Sequence, residues 1–290
     1  MAVMVLDIGG TAIKSALYNE GTLTDIKETP TQAAQGGSHV VNRIKEIIKE
    51  YQKDYSFERI GISTAGQVDP VRGEIVYANQ NIPGYMGTKL KKIMEEEFHV
   101  PTKVENDVNS AAIAESVFGV GKPYKEFVCL TYGTGVGGAI FANGKLYTGS
   151  SYCAGEFGAI VTHPEDRILG KDMFVGCYEK YASVTALVNS ALRVDASLTN
   201  GRKIFERIGE PEVKEVVDRW ILEIIYGLTT IIHMLNPECV ILGGGVMEQP
   251  YVLERLREQL YQHIMSSYHH VMIEKAALGN RAGMLGAAVL

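Results

Sequence analysis

Val5-Leu6-Asp7-Ile8-Gly9-Gly10-Thr11 is an apolar run that ends in a carboxylate and a glycine turn. A gapless slide of 124 positions sets it on Cys129-Leu130-Thr131-Tyr132-Gly133-Thr134-Gly135. The same slide brings Leu17-Tyr18-Asn19-Glu20-Gly21 onto Phe141-Ala142-Asn143-Gly144-Lys145. Each copy reads as strand, glycine turn, strand, Asn-containing turn. Self-similarity at so long a period predicts a duplicated α/β unit, two lobes around a cleft. Two unrelated hairpins is the competing reading.

Working outward from the first copy, residues 13–18 resume as a second strand and a third follows the turn at Asn19-Glu20-Gly21. From Ser38, a good N-cap, Val40, Val41, Ile44, Ile47, Ile48 and Tyr51 share one helical face while Arg43, Lys45, Glu46 and Lys49 take the other. A strand is expected over 59–63 and a helix over 88–98. A short strand over 102–104 and a helix over 108–118, opened by Asn106-Asp107, complete a β-β-β-α-β-α-β-α order. Residues 119–125 have linker composition. A buried helix over 216–235 leads to a third strand-and-glycine element, Cys239-Val240-Ile241-Leu242-Gly243-Gly244-Gly245.

The 290 residues carry 28 Lys+Arg against 34 Asp+Glu, a net charge of −6. With no basic tract, nothing is suited to a nucleic-acid backbone or an anionic membrane, so neither is an expected partner. The 216–235 run is broken by Glu223 and His233 and falls short of the roughly 20 apolar residues a bilayer demands. The amino terminus lacks the charged-then-apolar layout of an export signal, which predicts a cytoplasmic protein. Cys129, Cys153, Cys177 and Cys239 form no CxxC pair and read as free thiols.

Gly133-Thr134-Gly135-Val136-Gly137-Gly138 satisfies the GxGxxG pattern, but that fingerprint must open a helix. Here Ala139-Ile140-Phe141-Ala142 before Asn143-Gly144 is a strand entering a hairpin turn. A Walker loop is missing as well. Two glycine hairpins, with Thr11 and Thr134 at their tips, can instead direct backbone N–H groups at phosphate oxygens. Asp7 at the end of the first strand suits Mg²⁺ held through water, and Lys14 can add to the phosphate charge balance. Taken singly, each residue is equally readable as a turn cap or a solvated lysine.

The order and spacing of Asp7-Ile8-Gly9-Gly10-Thr11, Glu105-Asn106-Asp107, residues 132–138, Gly155-Glu156 and Leu242-Gly243-Gly244-Gly245 resemble the ROK family of sugar kinases and sugar-responsive repressors. The resemblance implies an actin-like ATPase fold of duplicated ribonuclease-H type. It places residues 1–118 plus 277–290 in a smaller lobe and 119–276 in a larger one. It further implies ATP and Mg²⁺ as cofactors and a sugar as substrate. Asp107 would be the general base, with a helix cap as its bland and compatible alternative. Gly66, Asn81, Asn106, Glu156 and Glu179 would contact sugar. Gly9, Gly10, Thr11, Thr134 and Gly135 would hold phosphates, and Gly244 and Gly245 would pack against adenosine.

Two departures from the family pattern bear on chemistry. The zinc-binding His position is Ala159, and two of the Cys positions are Gly170 and Asp172, leaving only Cys177, so no zinc is expected. A site improvised from His163, Cys153 and Asp172 is the alternative. In the family that His is also a sugar ligand near the anomeric end, so Ala159 implies a larger, less polar pocket there and a substrate substituted at that carbon, as in a β-glucoside, rather than free glucose alone. The reaction the resemblance implies is transfer to the 6-hydroxyl of glucose or a β-glucoside. N-acetylmannosamine kinase and a catalytically silent sugar-binding protein are the alternatives. A repressor would need a DNA-binding domain ahead of Asp7, where only six residues stand. Family resemblance also suggests a homodimer.

Overall fold

The computed structural model describes residues 2–168 and 170–290; Met1 and Leu169, the latter within the 151–175 loop expected to shape specificity, lie outside the described residues. Through the first repeat the elements are β1 Val3–Ile8, β2 Ala12–Asn19, β3 Thr22–Pro30, α1 Gly37–Tyr51, β4 Arg59–Thr64, β5 Gln67–Asp69, β6 Glu74–Tyr77, α2 Leu90–Phe98, β7 Thr102–Asn106 and α3 Asp107–Phe118. The second runs β8 Phe127–Tyr132, β9 Val136–Ala142, β10 Lys145–Tyr147, α4 Glu179–Ala182, α5 Val184–Ala191, α6 Gly201–Glu206, α7 Pro211–Leu235, β11 Cys239–Gly243, α8 Pro250–Leu260 and β12 Met272–Lys275. Helix α9, Ala282–Val289, ends the chain.

Two compact units result. One comprises Met1–Gly119, Thr148–Ala154 and Asn280–Leu290, the other Val120–Tyr147 and Gly155–Gly279. The first unit's sheet has the order β3-β2-β1-β4-β7, and the second's has β10-β9-β8-β11-β12. In both, the three leading strands are antiparallel and the remaining neighbours parallel. A shift of 124 carries β1 onto β8 end for end and the start of β2 onto the start of β9. The chain therefore has the duplicated ribonuclease-H-type, actin-like fold.

Strands covered on both faces need apolar residues at consecutive positions, and β1 supplies them. Met4, Leu6 and Ile8 pack with Val40, Ile44 and Ile48 of α1, while Val3 and Val5 pack with Met284 and Ala287 of α9. In the second unit Val128, Leu130 and Tyr132 share a core with Trp220, Ile221, Ile224 and Leu228 of α7. Among the described residues no helix is long and apolar enough to cross a membrane. Asn143 and Gly144 both take positive φ (55° and 70°) in a two-residue turn joining β9 to β10, which is why the glycine motif leads into a hairpin.

The β5–β6 hairpin lies outside the sequence expectation. Its strands are too short to show alternation, and Asp69 Oδ1 turns the chain by accepting from the backbone N–H groups of Val71 (2.9 Å) and Arg72 (3.0 Å). Helix α9 packs backbone against backbone: a Cβ on Gly61 would lie 2.0 Å from Ala287 O, and one on Gly286 would lie 1.9 Å from Ser110 O. Glycine at these two positions lets α9 approach β4 and α3 and fixes both against β1.

Candidate active site

In the first unit the parallel register aligns Asp7 with Ser63 and Ser63 with Glu105, while the antiparallel register aligns Asp7 with Lys14. Four polar side chains thus form one row across the sheet, at the carboxyl ends of β1, β4 and β7, where open α/β sheets bind ligands. Ser63 Oγ donates to Asp7 Oδ1 (2.8 Å), and Lys14 Nζ stands 3.9 Å from Asp7 Oδ2. Burial raises the Asp7 carboxyl above its ordinary range, against the lowering effects of Ser63 and Lys14. A hard oxygen donor at a strand end fits Mg²⁺ bound through water.

At the last residue of β7, Asn106 uses its whole amide within the protein. Its Oδ1 accepts from Val108 N (2.9 Å) and Asn109 N (3.0 Å), capping α3, and its Nδ2 donates to Gly66 O and Asp107 Oδ1, both at 2.9 Å. The capping role read for Asp107 therefore belongs to its neighbour. Asp107 stands at the first helical position, where Oδ1 also accepts from Val108 N (2.9 Å). Burial, then the nearby Asp7 charge, push the Asp107 carboxyl up to about 6. Beneath lies a pair to which the motif reading gave no role: buried Glu105 Oε1 accepts from Asn106 N (2.8 Å) and Asn109 Nδ2 (3.0 Å).

Gly66 takes φ 96° and turns its carbonyl to Asn106. The Gly9–Thr11 turn is held by Gly9 N to Ala12 O (3.0 Å) and Thr31 Oγ1 to Gly9 O (2.7 Å), leaving Gly10 and Thr11 exposed. Asn81 is exposed on the loop after β6, its N–H bonded to Asn79 Oδ1 (3.0 Å). Among the described residues no hydrogen bond joins its side chain to Gly66, Asn106 or Asp107.

In the second unit the β8–β9 turn exposes Gly133 and Thr134. The start of α5 braces it: Val184 N donates to Gly133 O (2.9 Å) and Thr185 Oγ1 to Thr134 O (2.8 Å). The glycines of the motif admit the segment that bears Glu156. A Cβ on Gly138 would meet the Phe157 ring at 2.3 Å, and one on Gly158 would meet Val136 O at 2.3 Å. Glu156 is exposed beside that segment, and Glu179 begins α4. Burial chiefly raises the Glu179 carboxyl, and the Glu156 charge adds to the rise.

Next to the turn lies a cavity of about 660 Å³, lined by Thr134, Thr185, Val188, Asn189, Phe205 and Gly245 among others. Its size and mixed lining suit a nucleoside. Gly244, φ 102°, presses its backbone on Tyr132, whose carbonyl would lie 2.1 Å from an added Cβ. It supports the turn, while Gly245 lines the cavity. Arg202 and Gln249 also face this space, and no motif pointed to them or to Asn189.

The residues considered for an improvised zinc site are dispersed among other partners. His163 stacks on Tyr181 (3.7 Å between centroids) with Nε2 3.6 Å from Glu223 Oε2. Asp172 pairs with Lys180 (3.0 Å), and Cys153, in the first unit, bonds Gln67 Oε1 (3.2 Å). The Cys177 thiol is buried against the Arg167 guanidinium (3.4 Å). Among the described residues no three His, Cys, Asp or Glu side chains are grouped to hold a metal ion.

Comparison with known proteins places this geometry. The profile of the ROK family matches residues 3–290. A β-glucoside kinase of Listeria innocua is 31% identical, the match covering 99% of this chain and 96% of that protein. A glucokinase of Thermotoga maritima is 29% identical over 98% and 95% of the two chains. The crystal structure of a ROK family glucokinase from Streptomyces griseus, in complex with glucose and AMPPNP, superposes with a TM-score of 0.86. It is 29% identical and covers 100% of this chain and 98% of that one.

Proposed function

Because the chain belongs to the ROK family over essentially its whole length, we propose that it transfers the γ-phosphoryl group of ATP to the 6-hydroxyl of glucose or a β-glucoside. The observation that carries this reading is Asp107, a carboxylate at the start of α3 lifted to about 6 and oriented by Asn106. At neutral pH it is ionised, yet basic enough to take a proton from an alcohol, a contribution of roughly 10²–10⁴ in rate. With Oδ1 engaged by Asn106 and Val108, Oδ2 is the oxygen assigned to the sugar proton. As the sugar O–H bond breaks, its oxygen bonds to the γ-phosphorus and ADP leaves.

Phosphoryl transfer mostly needs alignment and charge neutralisation. Mg²⁺, when bound, neutralises phosphate charge, and Asp7 is the residue assigned to hold it through water. Gly9, Gly10 and Thr11, with Lys14, and Thr134 and Gly135 are the residues assigned to phosphate. Gly245 and the cavity beside it take the adenosine, with Gly244 as support. Glu156 and Glu179 accept sugar hydroxyls, as do the walls formed by Gly66 and Asn81. Asn106 acts by orienting Asp107. Ala159, small where a sugar-binding His would stand, supports a substituent at the anomeric carbon.

An ADP-release assay with glucose, cellobiose and N-acetylmannosamine tests the assignment. Turnover with cellobiose at least equal to that with glucose is the expected result, and Asp107→Asn should lower kcat by roughly 10²–10⁴. A clear preference for N-acetylmannosamine, or full activity in the Asn variant, would overturn it.

A further inference from the structure

Glu179 is assigned above to the sugar, yet its carboxylate sits against the phosphate turn. A Cβ on Gly135 would lie 2.6 Å from Glu179 Oε2, and one on Gly158 would lie 3.1 Å from the same oxygen. The Val136 N–H, the first of β9, acts to hold this carboxylate ionised. A side chain at Gly135 would displace this oxygen, and one at Gly158 would crowd it.

We propose that Glu179 is a positioning residue for the nucleotide: its carboxylate occupies the space beneath Gly135 and holds the Val136 N–H, so the Gly133–Val136 turn keeps its phosphate-binding shape. The turn is braced on its other side by Val184 N and Thr185 Oγ1, and the Glu179 backbone is itself anchored. Tyr178, the preceding residue, has its ring on Gly227 of α7, where a Cβ would lie 2.2 Å from Cζ. Its hydroxyl pairs with Tyr132 OH (2.7 Å) and donates to Ile224 O (2.9 Å). The carboxylate that receives a sugar hydroxyl is then the one that shapes the phosphate turn, which makes sugar and nucleotide binding interdependent. The ligand names rest on the kinase reading above; the positioning does not.

Two measurements on wild type, Glu179→Gln, Glu179→Ala and Gly135→Ala decide it. Amide hydrogen exchange with no ligand present should be faster at Val136 in Glu179→Ala than in wild type, and near wild type in Glu179→Gln, whose amide oxygen still accepts the N–H. Calorimetric titration with Mg²⁺ and AMP-PNP, without sugar, should show about tenfold weaker binding for Glu179→Ala, as expected for one lost hydrogen bond, and under threefold for Glu179→Gln. Gly135→Ala, which pushes on the carboxylate from the other side, should weaken AMP-PNP binding likewise and serves if Glu179→Ala does not fold. Unchanged exchange at Val136 and unchanged AMP-PNP affinity in the alanine variants, with only the sugar KM raised, would overturn the proposal. If wild type fails to bind AMP-PNP, the kinase reading falls, and the exchange data alone judge the positioning role.

Discussion

Asp107 is a residue whose chemistry opposes its own burial. Its carboxyl ionises near 6, above the ordinary value of 3.8, because desolvation and then the Asp7 charge disfavour the anion. Between those two values the folded chain binds the proton more tightly than the unfolded chain, so stability falls as pH rises through that window and the penalty is complete above it. Two pH units correspond to about 3 kcal/mol, an upper bound for a side chain that keeps some exposure. Asp107→Asn, measured without nucleotide or Mg²⁺, should therefore raise Tm at pH 7 and leave it nearly unchanged at pH 4, although its turnover is lowered. Equal Tm at both pH values would show that the carboxylate is not strained by its surroundings. At this scale the sequence motif pointed to Asp107, Asn106 and Asp7, but not to the division of labour between them. Glu105 stood in the motif without a role, while Ser63 and Asn109 serve through cross-strand register and a buried side-chain bond, which no local pattern of residue types reveals.

Among the elements, α9 carries a consequence for Asp7. Gly283 stands in its first turn, and a Cβ there would lie 2.4 Å from Asp7 Oδ1 and 2.8 Å from Oδ2. The obstruction is the end of a side chain rather than backbone, so Gly283→Ala can be absorbed by turning the Asp7 carboxylate away from Ser63. The expected outcome is a several-fold higher Mg²⁺ requirement in steady-state kinetics with a modest loss of Tm. Gly286→Ala meets the Ser110 carbonyl, which cannot turn aside, and should cost on the order of 3 kcal/mol or more by overpacking. A Gly283→Ala enzyme with wild-type Mg²⁺ dependence would separate α9 from the metal-holding carboxylate. Helix periodicity made α1 readable from apolar spacing, and α3 was placed by the Asn106-Asp107 pair that opens it. The β5–β6 hairpin escaped because strands of three and four residues have too few alternations, and its turn is set by the Asp69 side chain.

For the molecule as a whole, the 124-residue repeat was legible because β1 and β8 have the same length and are followed by glycine turns of the same length that lead into β2 and β9. The later strands drift out of phase through insertions such as the long α7, so the matching sheet orders could be seen only in the fold. Residue spacing alone does not say how the first unit is completed; the family resemblance implied that 277–290 return to it, and the unit includes Asn280–Leu290. Met284, Leu285, Ala287 and Ala288 are buried, and Val3, Val5 and Ala16 pack with that helix. Removing it forfeits the burial of a Met, a Leu and two Ala and uncovers one face of β1. At about 1.5–3 kcal/mol per large side chain the loss is on the order of 5–10 kcal/mol. That is comparable with the entire margin of about 5–15 kcal/mol that holds a domain folded. A chain ending at Gly279 should therefore lose the cooperative unfolding of its first unit: limited proteolysis should cut rapidly within residues 2–119, while 155–279 resist, since their core draws nothing from α9. If residues 2–119 stay as protected as in the full chain, the apolar contacts of β1 with α9 contribute far less than their burial implies.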